Sequence, residues 1–402
     1  MMKTKTWLVI YLSLAIVCAA HAETPDVATL SAGINEFTFD LYQQLAQSEP
    51  DNILCSPFSV STALAMTFGG ARDETARQMA SVLHYSIARA QLDPSFRVLR
   101  QSIEALQKAD SIEIAVANRL WIQQQLALLD SYVKLVKENY GAGLAQVDFA
   151  ADTEAVRQEI NAWVEKQTRD RIRNLIAPGI LDADTRMVLV NAIYFLGFWA
   201  DAFESKFTQP APFHPAGADP VEVQLMVRSG EYLYSDDDRM QMLSLPYKGG
   251  DLSMVVLLPR EGMSIRDFEA ELTAEVLDRR MAGARRRKVN VWLPRFRIES
   301  EFTLANTLAG MGMPEAFAGS ADFSGMTGKK DLMIGHVIHK AFVEVNEKGT
   351  EAAAATAVMM RPASARPDDV PVAFRADRPF VFLIRDNKTG TILFVGRLAN
   401  PE

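Results

Sequence analysis

Cysteine is nearly missing from this chain, which holds two, Cys18 and Cys55. Cys18 lies in an N-terminal stretch expected to be removed, so Cys55 is left alone. That excludes a disulfide framework, a Cys-x-x-Cys redox pair and a cysteine metal site. Cys55 reads instead as an inert core thiol. Histidine is scarce too, at five, and only His84, His214, His336 and His339 lie beyond residue 22. Gly-x-Ser-x-Gly, Gly-x-x-x-x-Gly-Lys and His-Glu-x-x-His are all absent. Gly310-Met-Gly312 lacks the third glycine of a nucleotide loop and reads as a turn. No enzyme, metal or cofactor is therefore expected. No apolar run is long enough to cross a bilayer, and the formal net charge of −8 disfavours nucleic acid.

What is present begins with a basic Met1-Met-Lys-Thr-Lys5, an apolar Trp7 to Ala20 and a small-x-small Ala20-His-Ala22. This order predicts a secretory signal peptide over residues 1–22, cut before Glu23. Losing Lys3 and Lys5, with no acid, takes the net charge from −8 to −10. Secretion is expected, into the periplasm if the host is a Gram-negative bacterium. No linker divides residues 23–402, which are expected to form one domain.

Apolar residues at helical spacing predict helices over Ser31 to Ala46, Arg72 to His84, Phe96 to Lys108, Asp130 to Tyr140 and Asp152 to Gln167. Ser56 as N-cap, Pro57 at the first helical position and Gly69-Gly70 at the end frame another, apolar on every side and so buried. Met187 to Trp199 is a continuous apolar run holding only Asn191, which suits a strand covered on both faces. Further strands are expected at Ile112 to Ile122, Leu243 to Tyr247, Leu252 to Leu258, Val289 to Glu299, Ile338 to Asn346, Phe380 to Arg385 and Thr391 to Leu398. Helices early and strands late indicate an α+β fold. His339, inside a strand, reads as a hydrogen-bonded core histidine.

One stretch, Val345 to Val370, fits no single local rule. Glu351 and Ala352 to Ala355 favour a helix, but Gly349 and Pro362, Pro367 and Pro371 interrupt it. What remains is a tether between strands, far longer than an ordinary loop. As a strand it would place Thr350, Ala352, Ala354, Thr356 and Val358 on one face and Glu351, Ala353, Ala355 and Ala357 on the other. Such small side chains could enter a packed sheet without overfilling it.

Glu347-Lys-Gly-Thr-Glu-Ala-Ala-Ala-Ala-Thr-Ala357 resembles the reactive-loop hinge of serpins, the serine protease inhibitors. Asn52 to Ser59, Leu189 to Phe195 with Trp199, Leu293-Pro-Arg-Phe296, Ala321 to Gly325, His339-Lys-Ala341, Arg378 to Phe382 and Leu393 to Arg397 resemble serpin segments in the same order. The resemblance implies a large central sheet with further sheets, about nine surrounding helices and an exposed reactive loop near residues 347–377. It implies a hinge at Glu347, Gly349, Thr350 and Ala352, Ala353, Ala354 and Ala355. It implies a polar shutter of Ser56, Ser59, Asn191 and His339 where the sheet opens, and a breach at Trp199, Arg295 and Glu347, the last two paired. The implied function is capture of a serine protease by a monomer: the loop is cleaved, an acyl-enzyme forms, and the loop inserts into the sheet. The rival within the family is a non-inhibitory carrier, chaperone or storage protein, but nothing in the hinge blocks insertion.

Counting the family's seventeen residues from Glu347 places the cleaved bond between Ala363 and Ser364. Arg361 and Arg366 precede prolines, before which trypsin-like proteases cut poorly, and a small residue at the bond suits an elastase-like pocket. Met360 is the next candidate, with chymotrypsin-like or cysteine proteases as targets. Arg279, Arg280, Arg285, Arg286, Arg287 and Lys288 form a basic cluster that reads either as a solvated helix end and strand start or as a site for heparin-like polyanions or an acidic surface. Asn387-Lys-Thr389 is a glycosylation sequon.

Overall fold

Ser56 and Pro57 begin the fold's most buried helix: the Ser56 hydroxyl accepts from the Ser59 N–H at 3.3 Å and Pro57 occupies the first turn, where no amide donor is needed. All but one of its fourteen residues are buried, because a helix without a polar side can only be covered by other elements. The structure is a computed structural model that describes residues 24–106, 111–141, 143–350 and 370–401.

In chain order the elements are α1 Val27–Ser48, β1 Ile53–Cys55, α2 Pro57–Gly70, α3 Asp73–Val82, α4 Arg89–Leu106, β2 Ile112–Gln123, α5 Asp130–Tyr140, β3 Gly143–Val147, α6 Thr153–Gln167 and β4 Met187–Phe198. There follow β5 Gln209–Phe213, β6 Val221–Asp236, β7 Met240–Pro246, β8 Leu252–Pro259, α7 Ile265–Ala270, α8 Ala274–Gly283, β9 Arg285–Pro294 and β10 Phe296–Thr303. The chain closes with α9 Ala305–Gly310, α10 Ser324–Thr327, β11 His336–Asn346, β12 Gly349–Thr350, β13 Val372–Arg375, β14 Phe380–Asp386 and β15 Ile392–Leu398. The class is α+β, with ten α-helices among the described residues against the nine or so expected.

Two sheets organise the molecule. One has six strands in the order β10-β11-β12-β4-β2-β3, with β11 also paired to β4; the other has nine, in the order β1-β15-β14-β8-β7-β6-β9-β13, with β5 on β6. β4 explains the unbroken apolar run. Val188, Val190, Ala192 and Tyr194 pack with Ile160 and Val164 of α6 on one face, while Leu189, Ile193 and Phe195 join the main core on the other.

Two expectations are corrected. The strand expected over Val289 to Glu299 is two strands of different sheets. β9 pairs with β6 up to Pro294, β10 pairs with β11 from Phe296, and Arg295 between them bonds through its N–H to Gln224 O at 3.0 Å. Pro294 has no N–H to carry a ladder onward, so the corner falls there. The helix expected from Phe96 begins at Arg89 and holds Pro94 inside it. β6, sixteen residues long, runs unbroken through Arg228-Ser229-Gly230, where β9 pairs with it residue by residue.

Candidate functional site

The six-stranded sheet is parted at one end. β4 and β11 run parallel and pair directly from Val188 opposite His336 to Tyr194 opposite Phe342. Beyond that point they separate, and β12 stands between them, antiparallel to both: Gly349 faces Asn346 and Phe198, and Thr350 faces Val345 and Gly197. Gly349 has φ +155°, and a Cβ there would lie 2.0 Å from the Gly197 carbonyl oxygen and 2.7 Å from Phe198 Cα. No L side chain fits that contact, so glycine is what lets the chain enter the gap.

Side chains fasten the parted end. Thr350 is fully buried, its hydroxyl 2.8 Å from that of Tyr247. Trp199 stacks on the Tyr247 ring, centroids 4.8 Å apart at 8°, and its indole N–H donates to Asn346 O at 3.0 Å. The amides of Trp199 and Phe203 donate to Lys348 O at 2.9 Å and Glu347 O at 2.8 Å. The buried Glu347 carboxylate accepts from Arg295 Nε at 2.8 and 3.0 Å, from Arg295 Nη2, and from the Thr208 hydroxyl at 2.6 Å. Burial alone would raise this carboxyl, but the hydrogen bonds from Arg295 and Thr208 outweigh it and hold the carboxyl below its ordinary range. The structure thus brings Trp199, Arg295 and Glu347 together.

Lower on the seam lies a buried polar cluster. Asn118 of β2, Asn191 of β4 and His339 of β11 stand in register across three strands. The Ser56 N–H donates to His339 Nε2 at 3.0 Å, so Nε2 is unprotonated and Nδ1 carries the proton that it donates to Asn191 Oδ1. Asn191 Nδ2 in turn donates to Ser59 Oγ and Asn118 Oδ1, and Ser56 Oγ donates to Leu393 O at 2.6 Å. Burial pushes His339 down to about 3, against a smaller raise from Asn191. The imidazole is therefore neutral at any ordinary pH. Ser56, Ser59, Asn191 and His339 meet around the Asn191–His339 hydrogen bond, which bridges β4 to β11.

Three further residues take part: Asn118, Tyr247 and Thr208. Asn118 alone carries a local signal, a polar side chain within an otherwise mostly apolar strand. Tyr247 and Thr208 reach the site only through the packing of the other sheet. Ala352, Ala353, Ala354, Ala355, Ala363 and Ser364 lie outside the described residues, as does the 1–22 segment. The basic cluster is divided. Arg279 pairs with Glu275 at 2.8 Å and Arg280 with Asp237, whereas Arg285, Arg286, Arg287 and Lys288 are all exposed. Among the described residues no group of three His, Cys, Asp or Glu could hold a metal ion, and no helix is long and apolar enough to cross a membrane.

The family model described as serpin (serine protease inhibitor) matches residues 32–401. The chain belongs to the serpin family. Serpin B3 of Homo sapiens is 40% identical over 390 residues, covering 93% of this chain and 100% of the relative. The leukocyte elastase inhibitor of Sus scrofa is 41% identical over 381 residues, covering 92% and 99%. Among solved structures, uncleaved ovalbumin is 32% identical with a TM-score of 0.83, covering 93% of this serpin and 100% of that chain. The fold and family expected from the hinge and its companion segments are those found, and protease inhibition is the activity the family description names.

Proposed function

We propose that this serpin is a secreted inhibitor that captures a serine protease by covalent trapping and loop insertion. The observation that supports this most is β12. It is a short strand antiparallel to two parallel neighbours, and its direction of travel leads down the seam that β4 and β11 close below it. An extended continuation past Thr350 would replace one parallel ladder with two antiparallel ones, which are slightly more stable per residue. Residues Ala352 to Ala355 are small enough to follow Thr350 into that space. Seventeen residues from Glu347 to Ala363 laid in as strand would carry an attached protease about 55 Å. Export rests on the basic, apolar and small-x-small order of residues 1–22.

An elastase-like target is favoured by Ala363 beside Ser364 and by the likeness to leukocyte elastase inhibitors. Incubation with a panel of secreted serine proteases is expected to give, with an elastase-like member, a complex that survives denaturing electrophoresis and a released peptide beginning Ser364-Ala-Arg. A peptide beginning Arg361 would move the bond to Met360 and the target to the chymotrypsin-like class. Clean cleavage with every protease and no complex would assign the chain a carrier, chaperone or storage role.

A further inference from the structure

The basic run that the site does not use lies beside the far anchor of the reactive segment. β13, through which the chain returns to the sheet, pairs in parallel with β9 from Val372 opposite Val289 to Arg375 opposite Trp292. Because the strands are parallel, the residues just before Val372 approach from the same end as those just before Val289. Carried back two residues, that register brings Pro371 beside Lys288 and Val370 beside Arg287, at the end of the run Arg285, Arg286, Arg287 and Lys288, and Val370 is 78% exposed. The four cations are exposed in succession, and none has a carboxylate within ion-pair distance among the described residues. The nearest acid in the ladder is Glu231, opposite Lys288 on β6. Four unneutralised cations on a chain of net charge −8 are a local inversion of the surface field.

A protease closing on the segment that ends at Val370 covers more than its cleft. A standard interface buries about 800 Å² on each partner, a patch roughly 30 Å across, whereas four strand residues span only about 10 Å. Its surface on the C-terminal side of the cleaved bond must come down on or beside this run. Strand alternation sends Arg285 and Arg287 to one face of β9 and Arg286 and Lys288 to the other. A linear polyanion lying along one face meets two of the four, while a globular partner enclosing the sheet edge meets all of them. We propose that Arg285, Arg286, Arg287 and Lys288 form a docking surface for an acidic face of the target protease, next to the reactive segment. This rests on the inhibitory reading above and adds to it the surface charge of the partner.

Association rates measured with one acidic and one basic protease of elastase-like specificity test it. Replacing all four residues by alanine is expected to slow capture of the acidic protease about tenfold at low ionic strength, with the gap closing as salt approaches about 1 M. Capture of the basic protease should become faster. A second variant, Arg285→Lys/Arg286→Lys/Arg287→Lys, keeps the charge and should keep the wild-type rate. Equal rates for wild type and the alanine variant with the acidic protease overturn the docking surface and leave inhibition standing. Equal rates that diverge only when heparin is added overturn it in favour of a polyanion site. Absence of any covalent complex with wild type overturns the inhibitory reading and the docking surface together.

Discussion

Thr350→Arg is expected to turn capture into simple cleavage. Thr350 is fully enclosed between β11 and β4, with its hydroxyl on Tyr247 and the stacked Trp199 behind that ring. It is the first residue of any inserted strand whose side chain must face the core. An uncompensated charge at such a position costs about 3–5 kcal/mol, and the longer side chain also overfills the space. The protease still cuts the segment that follows, but the strand that must lengthen past Thr350 has lost its seat between β11 and β4, and the acyl-enzyme hydrolyses before the protease is carried away. The covalent complex on a denaturing gel should fall by more than about tenfold while the same peptide is released and the protease stays active. Thr350→Val, which keeps the shape and loses one neutral hydrogen bond worth about 1 kcal/mol, should retain capture. Undiminished complex formation by Thr350→Arg would mean that the core position Thr350 already holds is not needed for the strand to lengthen past it.

The second large effect is acid destabilisation through His339. The folded chain holds this imidazole neutral down to about pH 3, whereas the unfolded chain protonates it near the ordinary value of about 6.5. Between those values the unfolded state binds the extra proton, so stability falls as pH falls, by up to about 1.4 kcal/mol per unit. From pH 6.5 to 4.5 this amounts to about 2–3 kcal/mol, and the dependence fades out over about one unit above pH 6.5. His336, lowered by burial, acts in the same direction. His84 acts in the opposite one: its hydrogen bond to Asp40 raises it, so its stabilisation is present in acid and lost as pH rises through its folded value. Paired carboxylates such as Glu347 lose their contribution only below the ordinary carboxylate range. Urea unfolding at pH 6.5 and 4.5 should therefore show a loss for wild type that is much smaller for His339→Gln. Because Asn191 and His339 bridge the seam, the same acidification should open the sheet and promote polymerisation. Equal pH dependence in the two proteins would show that His339 is not the titrating group.

Much of this was legible in the sequence because it was written locally. Ser56-Pro57 fixed the start of α2, the unbroken Met187 to Phe198 run announced a strand buried on both faces, and Gly349 marked the point where the chain leaves ordinary strand geometry. What was hidden is non-local. The corner at Arg295 looks like the middle of one strand until β6 and β11 claim its two halves. Asn118 and Tyr247 become site residues only when strand register and the second sheet bring them to the seam. The basic cluster counted six cations in sequence, but Asp237 occupies Arg280 from the β6–β7 connection, while Glu275 holds Arg279 one turn away on the same helix.

The central claim is that the native sheet is short of a strand that the reactive segment can supply. Thermal unfolding of the intact chain, compared with the chain nicked once within residues 351–369 by a non-target protease, tests it most directly. Insertion between β4 and β11 exchanges one parallel ladder for two antiparallel ones and adds a row of buried side chains, and the nicked chain should unfold roughly 20 °C higher or more. A midpoint equal to or below that of the intact chain, as expected when a cut tether gains no contacts, would contradict it.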